Sequence, residues 1–290
     1  MISLNFHKQL LAGGGKLSLA VNCRIDKGDF IAVYGPSGAG KTTFLRIVAG
    51  LINPDKGHII VGGTPWYDKE KAVNIKPQDR STGLVFQDYA LFPNMTIAEN
   101  IQYAKHNTDN LVYKEVIELM ELGDILARKP STLSGGQQQR AALARSIVSM
   151  PEILMLDEPL AALDLKMRAN IQEYLLAVHK KFNLTTILVS HDVGEIFKLA
   201  NRVFMMEEGR IIKEGSPADL FASKYTSGKF QFVGEVLNIQ QEDVIFILTI
   251  LIGNKLVKVV AEEASIKNLA VGDKVMVASK AFNPVIQKII

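Results

Sequence analysis

The sequence predicts an α/β domain followed by a small all-β domain, and three features of its 290 residues support this prediction. A glycine-rich loop follows the apolar run 30–34 and precedes a helical pattern. Apolar runs at 152–157 and 185–190 alternate with helix candidates, which indicates parallel strands covered on both faces. From residue 231 onward the composition shifts to short strand candidates separated by turns.

Apolar runs bounded by turn residues predict the strands of the first domain, which we assign to residues 1–225. These strands are 2–6, 17–23, 30–34, 57–61, 152–157, 185–190, 202–206 and 210–213. Helical spacing predominates from about 88 to 150 and again over 165–182, and a short helix is predicted at 217–223.

A polar stretch, 224–229, predicts a linker, and we assign residues 226–290 to a small all-β barrel or sandwich. Its strand candidates are 232–238, 243–252, 255–261, 274–279 and 284–289. The longest apolar run, 244–252, has about half the length that a membrane-spanning helix needs.

Charge and cysteine content exclude several classes of protein. The net charge of +3 comes from 33 basic and 30 acidic residues spread along the chain, which gives no electrostatic argument for nucleic acid or a membrane surface. The single cysteine, Cys23, excludes an internal disulfide framework, and we expect it to be buried. Residues 1–7 alternate like a strand rather than a leader, so we expect no secretion.

The glycine-rich loop has the composition of a phosphate-binding loop. Its backbone N–H groups and the first turn of the following helix can surround phosphate oxygens. Lys41 would add a full charge at the β- and γ-phosphates, and the Thr42 hydroxyl can ligate Mg²⁺. The loop consists of Gly35, Pro36, Ser37, Gly38, Ala39, Gly40, Lys41, Thr42 and Thr43.

Two adjacent carboxylates, Asp157 and Glu158, end the apolar run that begins at 152. Alone, such a pair before the turn residue Pro159 would be an ordinary exposed strand end. Beside a phosphate-binding loop, Asp157 can orient Mg²⁺ or its water, and Glu158 can polarise an attacking water.

Residues 133–140, Leu-Ser-Gly-Gly-Gln-Gln-Gln-Arg, resemble the signature segment of ATP-binding cassette (ABC) ATPases. Ser-Gly-Gly by itself is an ordinary loop and helix cap, but the order of the other motifs favours the resemblance. Ser134 would cap a helix whose N–H groups, left accessible by Gly135 and Gly136, can face a γ-phosphate together with Gln137. The resemblance implies a P-loop NTPase cassette with a mixed, largely parallel sheet and a helical subdomain.

Three further residues match the family in the same order. Gln87 is similar to the glutamine that ligates Mg²⁺ and senses the γ-phosphate, although a lone glutamine is usually a surface amide. His191 matches the switch histidine at the γ-phosphate, and Asp164 matches the polar contact of the segment that crosses the dimer interface. The resemblance therefore implies ATP and Mg²⁺ as ligands, with Glu158, His191 and Gln87 acting in hydrolysis and Thr42, Gln87 and Asp157 at the metal.

The family also implies partners. In relatives two cassettes meet head to tail, so one copy of each motif implies a homodimer or a paired cassette. Residues 90–100 resemble the stretch that receives the coupling helix of a membrane permease, with Leu91, Phe92 and Met95 as its apolar floor or, equally, as ordinary core. Such a cassette works peripherally at the cytoplasmic face of the cell membrane and depends indirectly on a solute-binding protein.

One departure from the family concerns the base of the nucleotide. Relatives stack adenine on an aromatic residue about two dozen residues before the phosphate loop, whereas this chain has only aliphatic residues and glycines at 10–15. Phe6 or His7 would have to substitute, or the base would pack on aliphatic side chains.

The start of the chain, residues 76–88 and the C-terminal domain resemble the molybdate-importing branch, whose tail is an OB-like barrel of the TOBE or Mop type. Lys280 would there face an oxyanion. We therefore expect molybdate or tungstate import, with sulfate, sugar or polyamine import as alternatives. A soluble ABC ATPase acting on nucleic acid or ribosomes, and an oxyanion store or sensor, are alternatives of other classes.

Overall fold

The computed structural model describes residues 1–12, 15–86, 88–104, 109–161, 163–222, 230–242, 245–253, 255–261, 266 and 269–279. The chain divides into two compact units, Met1–Phe221 and Ala222–Ile290. No helix among these described residues is long and apolar enough to cross a bilayer.

Strands and helices alternate through the first unit. Its strands are β1 (Ile2–Ala12), β2 (Gly15–Ile25), β3 (Phe30–Tyr34), β4 (Lys56–Val61), β5 (Thr64–Asp68), β6 (Val73–Asn74), β7 (Thr82–Val85), β8 (Ile153–Asp157), β9 (Thr186–Val189), β10 (Arg202–Glu207) and β11 (Arg210–Gly215). Its α-helices are α1 (Lys41–Val48), α2 (Ile97–Tyr103), α3 (Asn110–Leu119), α4 (Gly135–Ile147), α5 (Leu165–Phe182) and α6 (Val193–Leu199).

All eleven strands form one sheet in the order β6-β5-β4-β1-β2-β11-β10-β3-β9-β8-β7. The neighbouring strands β10, β3, β9, β8 and β7 run parallel. On the other side, β1, β2, β4, β5 and β6 pair antiparallel. The sheet is mixed, as predicted, but it contains more antiparallel pairing than predicted, because β5 and β6 were missed and the β1–β2 hairpin is longer than predicted.

The parallel half of the sheet is buried on both faces, as its continuous apolar runs predict. Along β3, Phe30 and Ala32 join one core cluster and Ile31 and Val33 join another. Each face therefore has its own core.

Register across this half places the candidate site. Val33 pairs with Val189, and Val189 pairs with Asp157, so these residues form one row across β3, β9 and β8. The segments that follow them, including the glycine-rich loop, therefore lie at the same edge of the sheet.

The strands of the second unit are β12 (Phe230–Glu242), β13 (Ile245–Ile252), β14 (Lys255–Ala261) and β15 (Lys274–Ser279). They form an antiparallel sheet in the order β14-β13-β12-β15, with Val236, Leu248 and Ile250 buried at its centre. The all-β prediction holds for these strands, whereas the described residues do not establish a closed barrel. The predicted strand 284–289 and linker 224–229 lie outside the described residues.

In place of the predicted helix 217–223, the structure has a π-helical stretch at Ala218–Ala222. Residue 223 lies outside the described part of the chain.

Candidate active site

The glycine-rich loop joins β3 to α1 and depends on two glycines. Gly40 precedes α1 with a φ of 96°, a left-handed conformation that side chains other than glycine rarely adopt. At Gly35 a Cβ atom would lie 2.0 Å from the backbone oxygen of Met206 on β10. The loop therefore turns sharply while it packs against a neighbouring strand, and α1 begins with its N–H groups facing the loop.

Lys41 is 8% exposed and lies inside the loop. Its ammonium donates hydrogen bonds to the backbone oxygens of Gly35 at 2.7 Å and Pro36 at 2.8 Å. Burial lowers the pKa of Lys41, while the nearby carboxylates of Glu158 and Asp157 oppose that shift. A phosphate oxygen entering the loop would exchange neutral carbonyl partners for a charged one, a stronger interaction for the ammonium.

The loop and the acidic strand end meet directly. The Thr42 hydroxyl donates a hydrogen bond of 3.1 Å to Oδ1 of Asp157. Burial raises the pKa of Asp157, the Thr42 hydrogen bond opposes this, and the neighbouring Glu158 raises it further. Burial and Glu158 disfavour the charged form of Asp157, so a cation beside this carboxylate would stabilise that charged form.

Mg²⁺ fits the Thr42 and Asp157 oxygens, since it prefers oxygen ligands and commonly uses one or two carboxylates plus substrate phosphates. Within the described ranges no group of three or more His, Cys, Asp or Glu side chains could hold a metal by itself. Gln87, the third predicted ligand, lies outside the described residues.

Glu158 has a φ of 47°, which is a strained backbone conformation for a residue with a side chain. Its N–H donates to the backbone oxygen of Val189 at 3.0 Å, and its own oxygen accepts from Ala161 N–H at 3.3 Å. Nδ1 of His191 lies 3.5 Å from Oε2 of Glu158. The structure thus brings together two residues that are 33 positions apart in the chain, and no local sequence signal predicted the strain at Glu158.

Ser134 caps α4 as predicted, through a reciprocal pair of bonds with Gln137. The N–H of Gln137 donates to Ser134 Oγ at 3.4 Å, and the Ser134 N–H donates to Oε1 of Gln137 at 3.0 Å. Gly135 is open on its Cβ side, whereas a Cβ at Gly136 would lie 2.3 Å from Sδ of Met167 on α5. The absence of a side chain at Gly136 therefore lets the Met167 side chain of α5 pack directly against α4.

Asp164 is the N-cap of α5, and its carboxylate accepts from Met167 N–H at 2.9 Å. A second link joins α4 to the same region, because the buried Gln139 donates from Nε2 to the Pro159 oxygen at 2.5 Å. This hydrogen bond connects α4 to Pro159, the residue that follows Glu158.

Phe6 is buried and cannot stack on the base of a nucleotide, so the expectation that it substitutes for the missing aromatic residue is wrong. It is 2% exposed and packs in the core against Phe44, with ring centroids 6.2 Å apart. The ring of His7 is paired through Nε2 with Ser18 Oγ at 2.8 Å. Beside the loop, a Cβ at Gly40 would lie 3.7 Å from Leu17 Cδ2, so aliphatic side chains flank the loop.

A groove of about 640 Å³ lies near the stretch predicted to receive a permease. Phe92 and Tyr103 line it and pack edge to face at 4.8 Å. Leu91 is partly buried and packs against the core, which is the alternative that the sequence left open, and Met95 is not among the residues that line this groove. The role of these residues in receiving a permease stays a prediction.

Arg145, which the sequence analysis missed, shapes the same groove. It donates to the backbone oxygens of Ala90 at 2.7 Å and Tyr89 at 3.0 Å, two residues with positive φ. No local pattern marks this contact between residues more than fifty positions apart. Lys280 lies outside the described residues, and its expected oxyanion contact stays a prediction.

Comparisons with known proteins agree with this geometry. The profile of the ABC transporter family matches residues 19–161. The chain is 42% identical over 229 residues to the sulfate/thiosulfate import ATP-binding protein CysA of Bradyrhizobium diazoefficiens, an alignment that covers 76% of this chain and 65% of that protein. It is 42% identical over 206 residues to the probable sulfate/thiosulfate import ATP-binding protein CysA of Chlorella vulgaris, covering 69% and 85%.

A molybdenum import ATP-binding protein, ModC of Haemophilus ducreyi, is 37% identical over 212 residues, covering 73% of this chain and 59% of that protein. The chain therefore spans under two thirds of the length of the Bradyrhizobium and Haemophilus relatives.

Among solved structures, the dimeric post-hydrolysis state of the ATP-binding cassette MJ0796 bound to ADP and Pi matches with a TM-score of 0.63 at 30% identity. That match covers 75% of this chain and 99% of the cassette. The relatives, the shared fold and the assembled site lead to one conclusion, that the chain belongs to the ABC transporter family, in its class of ATP-binding cassettes.

Proposed function

We propose that the chain is the ATP-hydrolysing subunit of an ABC importer and works with a separate membrane permease. The observation that carries this proposal is the hydrogen bond between Thr42 and Asp157, which joins the phosphate-binding loop to the acidic strand end beside Glu158 and His191. A glycine loop alone binds phosphate, whereas this arrangement adds a metal site and a carboxylate for water.

In this proposal each residue has a separate task. Lys41 and the loop N–H groups bind the β- and γ-phosphates. Thr42 and Asp157, with Gln87, would hold Mg²⁺, which would neutralise charge on the phosphates. Glu158 orients and polarises the attacking water, and His191 contacts the γ-phosphate. The left-handed backbone at Glu158 aims its carboxylate at the cost of local strain.

The cage around the nucleotide is completed by a second copy of the chain. Ser134 and the residues through Gln137 present the first turn of α4, whose N–H groups favour an anion. Support comes from the solved cassette that the chain resembles, which is described as dimeric. We assign the ATPase to residues 1–225, with Asp164 at the interface between the copies.

The permease docks, in this proposal, in the groove of Phe92 and Tyr103. Phe92 is 37% exposed, and the Arg145 guanidinium lies 5.5 Å from its ring centroid, so the groove has an aromatic wall with a cation behind it. An apolar side chain of a partner helix would fit this wall.

The transported solute is, in this proposal, a tetrahedral oxyanion. The relatives described above are named for sulfate/thiosulfate or molybdenum import, and the higher identities belong to the sulfate/thiosulfate proteins. Sulfate is therefore favoured over the molybdate expected from the sequence. Reconstituting the chain with its co-purifying permease and comparing sulfate with molybdate uptake tests this; uptake of a sugar alone would contradict it.

ATP hydrolysis tests the core of the proposal. The parent chain is expected to release phosphate from Mg-ATP, Lys41→Ala to lose nucleotide affinity, and Glu158→Gln to bind ATP without turnover. Glu173→Gln, a matched change at the outer face of α5, is expected to keep parental rates. Parental hydrolysis by Glu158→Gln would contradict the role given to that carboxylate.

A further inference from the structure

His191 is flanked on both sides by residues held in a polar cluster. The Ser190 hydroxyl donates to Oε2 of Glu195 at 2.5 Å. Asp192 donates its N–H to Ser190 Oγ at 3.1 Å and accepts Glu195 N–H on Oδ1 at 3.0 Å. The position of His191 therefore depends on how this cluster is anchored.

One anchor is Arg168, which lies one turn after Asp164 on α5. Its Nη1 contacts Oδ2 of Asp192 at 2.7 Å, while its backbone N–H donates to the Asp164 oxygen at 2.9 Å. A single residue thus joins the start of α5 to the position directly after His191.

The cluster is partly buried, with the side chains of Arg168 and Asp192 23% and 37% exposed. Glu195 is 5% exposed, and its Oε1 has no hydrogen-bond partner among the described residues. Nε of Arg168 is likewise buried and, within the described part of the chain, unpaired. Burial raises the pKa of Glu195. Buried polar groups usually have a partner, so a role in holding the segment 190–192 is one explanation for these atoms.

We propose that Arg168 is a positioning residue that couples Asp164 to His191 through Asp192. The inference rests on the proposed function, because it assumes that Asp164 meets the second copy and that His191 acts at the γ-phosphate. Closure of the dimer at Asp164 would shift the first turn of α5, and the ion pair would carry that shift to the loop of His191. The position of His191 in each chain would then depend on the contact that Asp164 of the same chain makes with the second copy.

The chain provides a matched control. Lys198 on α6 and Glu173 on α5 form an ion pair of the same length, 2.7 Å, between the same two helices. That pair lies further along both helices, away from residues 190–192. If Arg168 acts only by holding α6 against α5, Lys198→Met should have the same effect as Arg168→Met.

The first measurement is a double-mutant cycle in ATP hydrolysis by the full chain. Arg168→Met and Asp164→Ser, which keeps a capping side chain, are each expected to lower kcat by about tenfold with KM little changed. The double variant should lose about the same tenfold, because the coupling is lost once. Arg168→Lys should recover part of the rate, and Lys198→Met should keep it. Independent losses that multiply to about a hundredfold would overturn the proposal.

The second measurement needs no nucleotide, so it separates this inference from the proposed function. Amide hydrogen exchange of Met167, Asp192 and Glu195 reports the capping bonds on the two connected segments. Arg168→Met is expected to speed exchange of all three by about tenfold, whereas Lys198→Met leaves them at the parental rate. Unchanged exchange at Asp192 and Glu195 in Arg168→Met would overturn the coupling even if hydrolysis is observed. A parent chain without hydrolysis would contradict the proposed function, and the exchange result would still decide the coupling.

Discussion

Arg80 offers a sharp test of how the phosphate-binding helix is held. Arg80 is only 4% exposed, and within the described part of the chain its guanidinium donates to backbone oxygens and forms no ion pair with a carboxylate. Nη1 donates to the Val48 oxygen at 2.8 Å, at the C-terminal end of α1, and Nε donates to the Ile75 oxygen at 3.0 Å. A buried cation thus caps the helix whose other end carries Lys41.

Replacing Arg80 with Met would keep the volume and remove these donors. The backbone oxygens of Ile47, Val48 and Ile75 would each lose this donor, and a buried carbonyl left without another partner costs about 1–3 kcal/mol. Part of this is recovered, because the guanidinium no longer has to be desolvated, a cost that also lowers the pKa of Arg80. We therefore expect a loss of about 3 kcal/mol in the free energy of unfolding, together with weaker ATP binding.

Urea denaturation followed by circular dichroism measures this loss, and a fluorescent ATP analogue measures the affinity. Arg24→Met, a change at an exposed position of β2, is the control and should stay within about 0.5 kcal/mol of the parent. If Arg80→Met unfolds within about 1 kcal/mol of the parent, the helix does not depend on this cap.

Three further predictions concern strain, reactivity and pH. Glu158→Gly should raise the unfolding free energy by up to about 1 kcal/mol relative to Glu158→Gln, because glycine relieves the left-handed backbone while both variants lose turnover; equal stabilities by urea denaturation would contradict the strain. Cys23 is buried with its pKa raised to about 12, chiefly by burial, so at pH 9 about one thiol in a thousand is ionised and a disulfide reagent should react only after unfolding; fast labelling of the native chain would disprove this. Burial lowers the pKa of His179 below its usual 6.5, so the unfolded chain binds a proton at this residue more readily than the folded chain. The free energy of unfolding should therefore fall as the pH drops below about 6.5. This fall between pH 7 and 5 should be smaller in His179→Gln, and an identical pH dependence in the two chains would refute this.

The sequence predicted the parts of the site that are local in the chain. The glycine loop, the Asp157–Glu158 pair and the Ser134 cap each combine residues within a few positions, so their chemistry is visible without a fold. Helix α5 was predicted with its observed bounds because its helical spacing is also local.

Long-range contacts could not be predicted in the same way. Arg80, Arg145 and Arg168 act on segments that are distant in sequence, and an isolated arginine has no pattern that names its partner. Phe6 was a candidate for the base because only its residue type was known, whereas the strand register turns it into the core. The extent of the antiparallel half was missed because β5 contains a proline and β6 has only two residues.

The central claim is that the phosphate-binding loop forms half of an ATP site, with the other half supplied by a second copy. Sedimentation of Glu158→Gln with and without Mg-ATP tests it most directly. We predict a monomer without nucleotide and a dimer with saturating Mg-ATP, and a return to monomer when Ser134 is also replaced by Arg. A Glu158→Gln chain that binds ATP and still sediments as a monomer would contradict the claim.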